Sequence, residues 1–219
     1  EKGVPIGILP RNGTVDDLRW FQGDPSFVFH PMNAHAEGDI LTCDVCEFEE
    51  APLFPKPDGT PGDPAKAIPR LTRWTFDLAK NTNDYKWERL DDLACEFPRL
   101  DERYTGVNYR YGYFAADNNP QFKVGGFNAI GRRDHETGKV ELHDVGEACA
   151  TNEPIFVPRS ADAPEGDGFL LANVYDANRK ASHLIILDAQ NVSGKPLAKA
   201  YLDPRVPFGF HGNWAQDVA

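Results

Sequence analysis

The sequence predicts an all-β fold, and three observations carry that prediction. Short runs rich in Val, Ile, Phe, Tyr and Thr recur along the 219 residues, the composition that suits a pleated, half-buried surface. Turn signals separate them densely: Asn12-Gly13, Asp58-Gly59, Pro61-Gly62, Glu136-Thr137-Gly138, Glu165-Gly166-Asp167-Gly168 and Ser193-Gly194. No amphipathic run of three turns carries caps at both ends.

Strands are expected, in order, over 18–22, 27–34, 39–48, 71–78, 85–90 and 109–115. They continue over 122–130, 139–142, 155–157, 169–175, 183–188 and 199–202. Thr14-Val15-Asp16-Asp17 resembles a helix cap, but the residues after it turn aromatic and extended. About twelve strands at this spacing supply roughly three four-stranded propeller blades. No sequence repeat marks them, so a sandwich satisfies the same pattern. Between 49 and 70 lie Pro52, Pro55, Pro57, Pro61, Pro64 and Pro69 with Gly59 and Gly62. A strand does not tolerate that proline density, so this stretch is a long loop within one domain covering 1–219. Such a loop is either a functional cover or a solvent-exposed insertion.

Two histidines stand out. Phe27-Val28-Phe29-His30-Pro31-Met32-Asn33-Ala34 and Pro207-Phe208-Gly209-Phe210-His211-Gly212-Asn213-Trp214 each deliver one imidazole from an aromatic run that ends at a breaker, Pro31 or Gly212. Strand alternation puts Phe27 and Phe29 on one face and His30 on the other, and likewise Phe208 and Phe210 against His211. Two such histidines, far apart in sequence, suggest a metal site built from different strands. The bland alternative is a pair of hydrogen-bonded structural histidines. His35, His135, His143 and His183 lie in polar or turn-like contexts and carry no such pattern.

Net charge is −11, from 34 acidic and 23 basic residues. That balance argues against nucleic acid and anionic membranes as partners. No apolar run approaches the roughly 20 residues of a transmembrane helix, and no signal-peptide pattern opens the chain. It begins Glu1-Lys2-Gly3, with Met32 as its only methionine, so processing or truncation is expected upstream. Cys43, Cys46, Cys95 and Cys149 are too few and scattered for a disulfide scaffold. Cys43 and Cys46 form a C-x-x-C, but a strand there puts them on opposite faces, and no second pair completes a zinc set. Reduced cysteines in a cytoplasmic protein are the expectation.

Five segments resemble the carotenoid cleavage oxygenase family, and within it the bacterial lignostilbene dioxygenases. They are Phe27 to Asp39 (FVFHPMNAHAEGD), Cys95 to Gly112 (CEFPRLDERYTGVNYRYG), Glu153 to Arg159 (EPIFVPR), Asp167 to Asp176 (DGFLLANVYD) and Asp203 to Trp214 (DPRVPFGFHGNW). They keep the family's order and approximate spacing, and they match the C-terminal half of a family member.

That resemblance implies part of a seven-bladed β-propeller, about three to four blades of it. It implies a non-haem Fe(II) held by four axial histidines with three glutamates behind them. By motif, His30 is similar to the third ligand and His211 to the fourth. Glu96 resembles the glutamate behind the third histidine, and Glu153 the one behind the fourth. Phe27 and Phe29 would line the substrate channel, with core packing as their alternative. The implied reaction cleaves a conjugated carbon–carbon double bond of a stilbenoid or apocarotenoid with O₂ and yields two carbonyls. Imidazole suits Fe(II), and a carboxylate on the far ring nitrogen fixes tautomer and orientation. Two further histidines and one glutamate are implied upstream, in a missing N-terminal half, so the chain alone is expected to bind iron weakly and to be inactive. His35 stands where many relatives carry an aromatic residue. Two other classes compete: a metal-free propeller fragment that serves as a binding or structural module, and a calcium-dependent propeller hydrolase using Asp117-Asn118-Asn119, which reads instead as a turn before Pro120.

Overall fold

The computed structural model describes residues 3–119 and 126–215. The chain forms two compact units, 1–92 and 93–219. Both are built from antiparallel strands. The helical content among the described residues is two single 3₁₀ turns, Val15–Asp17 and Glu102–Tyr104.

In the first unit, β1 (Val4–Ile8) pairs with β2 (Arg19–Gly23), Val4 opposite Gly23. β3 (Phe27–Glu37) and β4 (Ile40–Phe48) form a hairpin that turns at Gly38, whose φ of +59° favours glycine. β5 (Arg70–Asp77) continues this sheet beside β4. The core beneath holds Phe21, Val45, Trp74 and Phe76, with Ile6, Ile8, Val28 and Tyr85 packed against it. Phe21 and Phe76 meet edge to face at 4.9 Å. Arg19 ties β2 to the end of β5, donating to the carbonyls of Leu78 at 2.5 Å and Lys80 at 2.7 Å. No strand forms over residues 49–69.

β6 (Lys86–Leu100) leads from the first unit into the second. There it pairs with β7 (Tyr111–Asp117), followed by β8 (Ala129–Asp134) and β9 (Val140–Asp144). A further sheet holds β10 (Cys149–Thr151), β12 (Gly168–Asp176), β13 (Ala181–Asp188) and β14 (Ala198–Tyr201) in that order, with β11 (Ile155–Pro158) also on β12. Tyr113, Ile130, Phe156, Leu170, Val174, Ile185 and Leu187 fill the core of this unit. Tyr113 and Phe156 stack at 5.3 Å.

Several expectations change in detail. β1 was not expected, because Pro5 and Gly7 blunt its alternation. The run 85–90 is the first part of a strand that reaches Leu100. Of the expected strand 122–130, residues 122–125 lie outside the described residues, and β8 begins at Ala129. β3 does not stop at Pro31. It passes through that residue with register shifts on either side, because a proline cannot donate to the ladder.

Candidate metal centre

His211 does not sit on a strand. Residues 205–215 form none, and Pro204, Pro207, Gly209 and Gly212 explain why a ladder fails there. The segment is docked instead by single bonds to β13. The Leu202 amide donates to the Ser182 carbonyl at 2.9 Å, and the Val206 amide donates to the Ser182 hydroxyl at 3.0 Å. Arg205 lies over the Tyr175 and Phe208 rings at about 6 Å. Phe208 and Phe210 stay exposed.

The imidazole at its end is held from behind. Glu153, buried in the link between β10 and β11, places Oε1 3.2 Å from His211 Nδ1. Its Oε2 accepts the Gly212 amide at 2.9 Å and faces Arg99 Nη1 at 3.2 Å. Arg99, on β6, also donates to the Gly212 carbonyl at 3.2 Å and to Asn213 Oδ1 at 3.3 Å, and pairs with Glu102. A buried carboxylate needs such partners, and here three donors surround it.

Glu96 sits on the same strand at a bulge. The register with β7 slips between Glu96 and Arg99, and Phe97 takes a φ of +54°. That conformation is rare for an aromatic residue. Pro98 follows and cannot donate to the ladder. The bulge leaves the Glu96 side chain buried, with Oε2 accepting the Phe97 amide. It turns the Phe97 ring toward His211, edge to face at 6.0 Å, and toward Phe127, also at 6.0 Å.

In the first unit, His30 lies on β3 within the first register shift, between Val28 and Pro31, and is half-buried. Phe27 and Phe29 meet at 4.6 Å on one side of the strand, as alternation requires. Phe29 lies 6.1 Å from the His30 ring, and buried Phe48 packs edge-on under both phenylalanines. His30 and Glu96 thus both occur where a proline breaks a ladder, Pro31 and Pro98. Such irregularities re-aim a side chain out of the regular alternation.

Among the described residues, no three His, Cys, Asp or Glu side chains converge as a metal cage. What the chain does show fits a ligand of ferrous iron: an imidazole whose Nδ1 faces a carboxylate, so that Nε2 is the nitrogen that would meet a metal. The sequence did not point to Arg99, Phe97 or the Gly212 amide. Arg99 lies three residues after Glu96, but an arginine in a strand carries no mark of its partner. None of the four cysteines forms a disulfide among the described residues, and Cys46 and Cys95 are buried. Burial pushes the Cys43 thiol up to about 12, with the Asp44 charge adding to it, which keeps it protonated near neutral pH.

The family model described as retinal pigment epithelial membrane protein matches residues 1–216. Isoeugenol monooxygenase of Pseudomonas putida is 39% identical over 222 residues, which cover 98% of this chain and 46% of that protein. Lignostilbene-α,β-dioxygenase isozyme III of Sphingomonas paucimobilis is 40% identical over 229 residues, covering 97% and 46%. The crystal structure of Pseudomonas brassicacearum lignostilbene dioxygenase matches with a TM-score of 0.91 at 32% identity, over 99% of this chain and 48% of that one. The chain is thus an almost all-β domain that matches part of known seven-bladed β-propeller folds, and it spans about half the length of the relatives it matches. No helix among the described residues is long and apolar enough to cross a membrane.

Proposed function

This chain belongs to the retinal pigment epithelial membrane protein family of carotenoid- and stilbene-cleaving oxygenases, and we propose that it is the C-terminal half of an Fe(II)-dependent dioxygenase. The substrate is a conjugated alkene, the co-substrate is O₂, and the products are two carbonyl compounds. The names of the relatives at 39–40% identity, isoeugenol monooxygenase and lignostilbene dioxygenase, favour an aryl alkene over an apocarotenoid.

The observation that carries the proposal is the His211–Glu153 pair, at 3.2 Å. His211 would be one of the residues that hold a ferrous ion, which would supply the redox chemistry for activating O₂ towards the alkene. The protein's own residues supply orientation. Glu153 accepts the Nδ1 proton of His211 and so presents Nε2 as the coordinating nitrogen. Arg99 and the Gly212 amide keep that carboxylate in place and offset its charge. Phe97 packs edge-on against the imidazole and limits its rotation. By motif, His30 is the candidate for a second imidazole ligand and Glu96 for a further orienting carboxylate. Phe27 and Phe29 line the approach of a flat apolar substrate. The remaining ligands come from residues outside this chain, so residues 1–219 alone bind iron weakly and do not turn over. The acidic balance leaves nucleic acid out of the partner set, and four scattered cysteines without a disulfide framework favour the cytoplasm.

The test uses the complete protein. Iron content and oxygen uptake are measured with isoeugenol, a hydroxystilbene and an apocarotenoid. One iron per chain, with O₂ consumed on an aryl alkene and lost in His211→Ala, is the expected result. A complete protein that is iron-free and inert towards all three sinks the proposal and leaves the binding-module reading.

A further inference from the structure

We propose that Phe54, with Leu53 beside it, is a specificity-determining contact for the part of the alkene substrate farthest from the scissile bond. This rests on the site reading around His30.

The topology places this segment at the right end of the sheet. The β3–β4 hairpin pairs Phe27 with Phe48. The exit of β4 therefore lies beside the entry of β3, three residues before His30. The chain from Glu49 onward leaves the sheet at that end. From His30 an unbroken series of rings leads outward: Phe29 at 6.1 Å, Phe27 a further 4.6 Å on, and Phe54 a further 6.2 Å on. Each step is within the distance at which aromatic rings interact.

Phe54 is 58% exposed and Leu53 70%. A lone exposed apolar residue needs no explanation, but an adjacent pair continuing an aromatic series does. The pair is presented rigidly. It sits between Pro52 and Pro55, whose rings fix φ. Behind it, Glu50 accepts the Asp63 amide at 2.9 Å and faces Lys56 at 3.6 Å and Lys66 at 3.7 Å. The Glu49 and Glu50 amides both donate to the Lys66 carbonyl, at 3.1 and 3.2 Å. The Lys56 amide donates to the Thr60 carbonyl at 2.8 Å, and Asp58 caps the turn through the Thr60 hydroxyl at 2.6 Å. A contact held ready in this way loses little entropy when a ligand meets it. Its chemistry selects a planar aromatic group, by edge or offset stacking.

The experiment compares Phe54→Ala, Phe54→Tyr and wild type in the complete protein, on a two-ring substrate (4-hydroxystilbene) and a one-ring substrate (isoeugenol). Binding of the saturated two-ring analogue, 4-hydroxybibenzyl, is measured by calorimetry and needs no turnover. The expected result for Phe54→Ala is a KM and an analogue Kd about tenfold higher for the two-ring compounds. kcat and iron content stay near wild type, isoeugenol loses clearly less, and Phe54→Tyr restores the two-ring values. An unchanged analogue Kd overturns the proposal, as does an equal loss on both substrates. Loss of binding to phosphatidylcholine vesicles with unchanged kinetics also overturns it and assigns the pair to a lipid surface. A wild type without iron or turnover refutes the dioxygenase reading separately, while the calorimetric comparison still decides the role of Phe54.

Discussion

Glu153 and His211, 58 residues apart, meet at 3.2 Å through Oε1 and Nδ1, and the same carboxylate takes the amide of the next residue, Gly212, at 2.9 Å. One acid therefore fixes both the ring and the backbone that carries it. Glu153→Gln keeps the shape and removes the charge. In the complete protein its iron affinity is expected to fall by about 10–100-fold, read by metal titration. Unchanged affinity would contradict the orienting role.

Arg99 should matter nearly as much, acting through Glu153. It stands 3.2 Å from Glu153, whose side chain is almost wholly buried. Arg99→Ala leaves that acid short of a cation and is expected to cost about 3 kcal/mol in urea unfolding. Adding Glu153→Gln should recover part of the loss, because the uncompensated charge goes with it. Strictly additive effects would show the two residues to be independent.

Acid sensitivity should have a histidine component. His183 is 3% exposed, with neither ring nitrogen hydrogen-bonded among the described residues. Burial lowers its pKa, Lys199 and Arg179 push the same way, and Asp176 opposes them. A native pKa below the unfolded value, about 6.5, means that the unfolded chain takes up the proton first. The stability this group contributes is present above pH of about 6.5 and is lost as pH falls through the native pKa. His183→Phe should flatten that part of the urea-midpoint profile. His143, lowered chiefly by burial, leaves a residual slope. A profile identical to wild type would exclude His183.

Gly131 has no room for a side chain. It pairs with Phe114 across β7 and β8, and an added Cβ would meet the ring at 2.1 Å. That ring is buried and cannot swing aside. Gly131→Ala is expected to cost about 1–3 kcal/mol, and Phe114→Leu in the same chain should return part of it. A melting temperature equal to wild type in the single variant would contradict this packing.

The strands with regular alternation were readable from sequence. β5, β12 and β13 bury one face of a sheet and so display a period of two over most of their length. β1 and the far part of β6 were not readable. Pro5 and Gly7 interrupt one, and Asp91, Asp92 and Pro98 interrupt the other. The motifs of His30, Glu96, Glu153 and His211 stood out because aromatic and proline neighbours frame them. The strand that alternation predicts around His211 does not form, since a segment so rich in glycine and proline holds its place by docking, not by a ladder.

The sequence by itself determined the all-β class, the proline-rich interruption and the residue types of the candidate centre, because alternation, turn chemistry and local framing are short-range properties. Tertiary structure alone decided that Arg99 braces Glu153, that the Glu96 bulge turns Phe97 onto His211, and that Phe54 extends the rings beginning at His30. These relations join residues about 25 to 115 positions apart. They depend on which strands pair and in what register, and register is set by burial of a whole face rather than by any local run of residues.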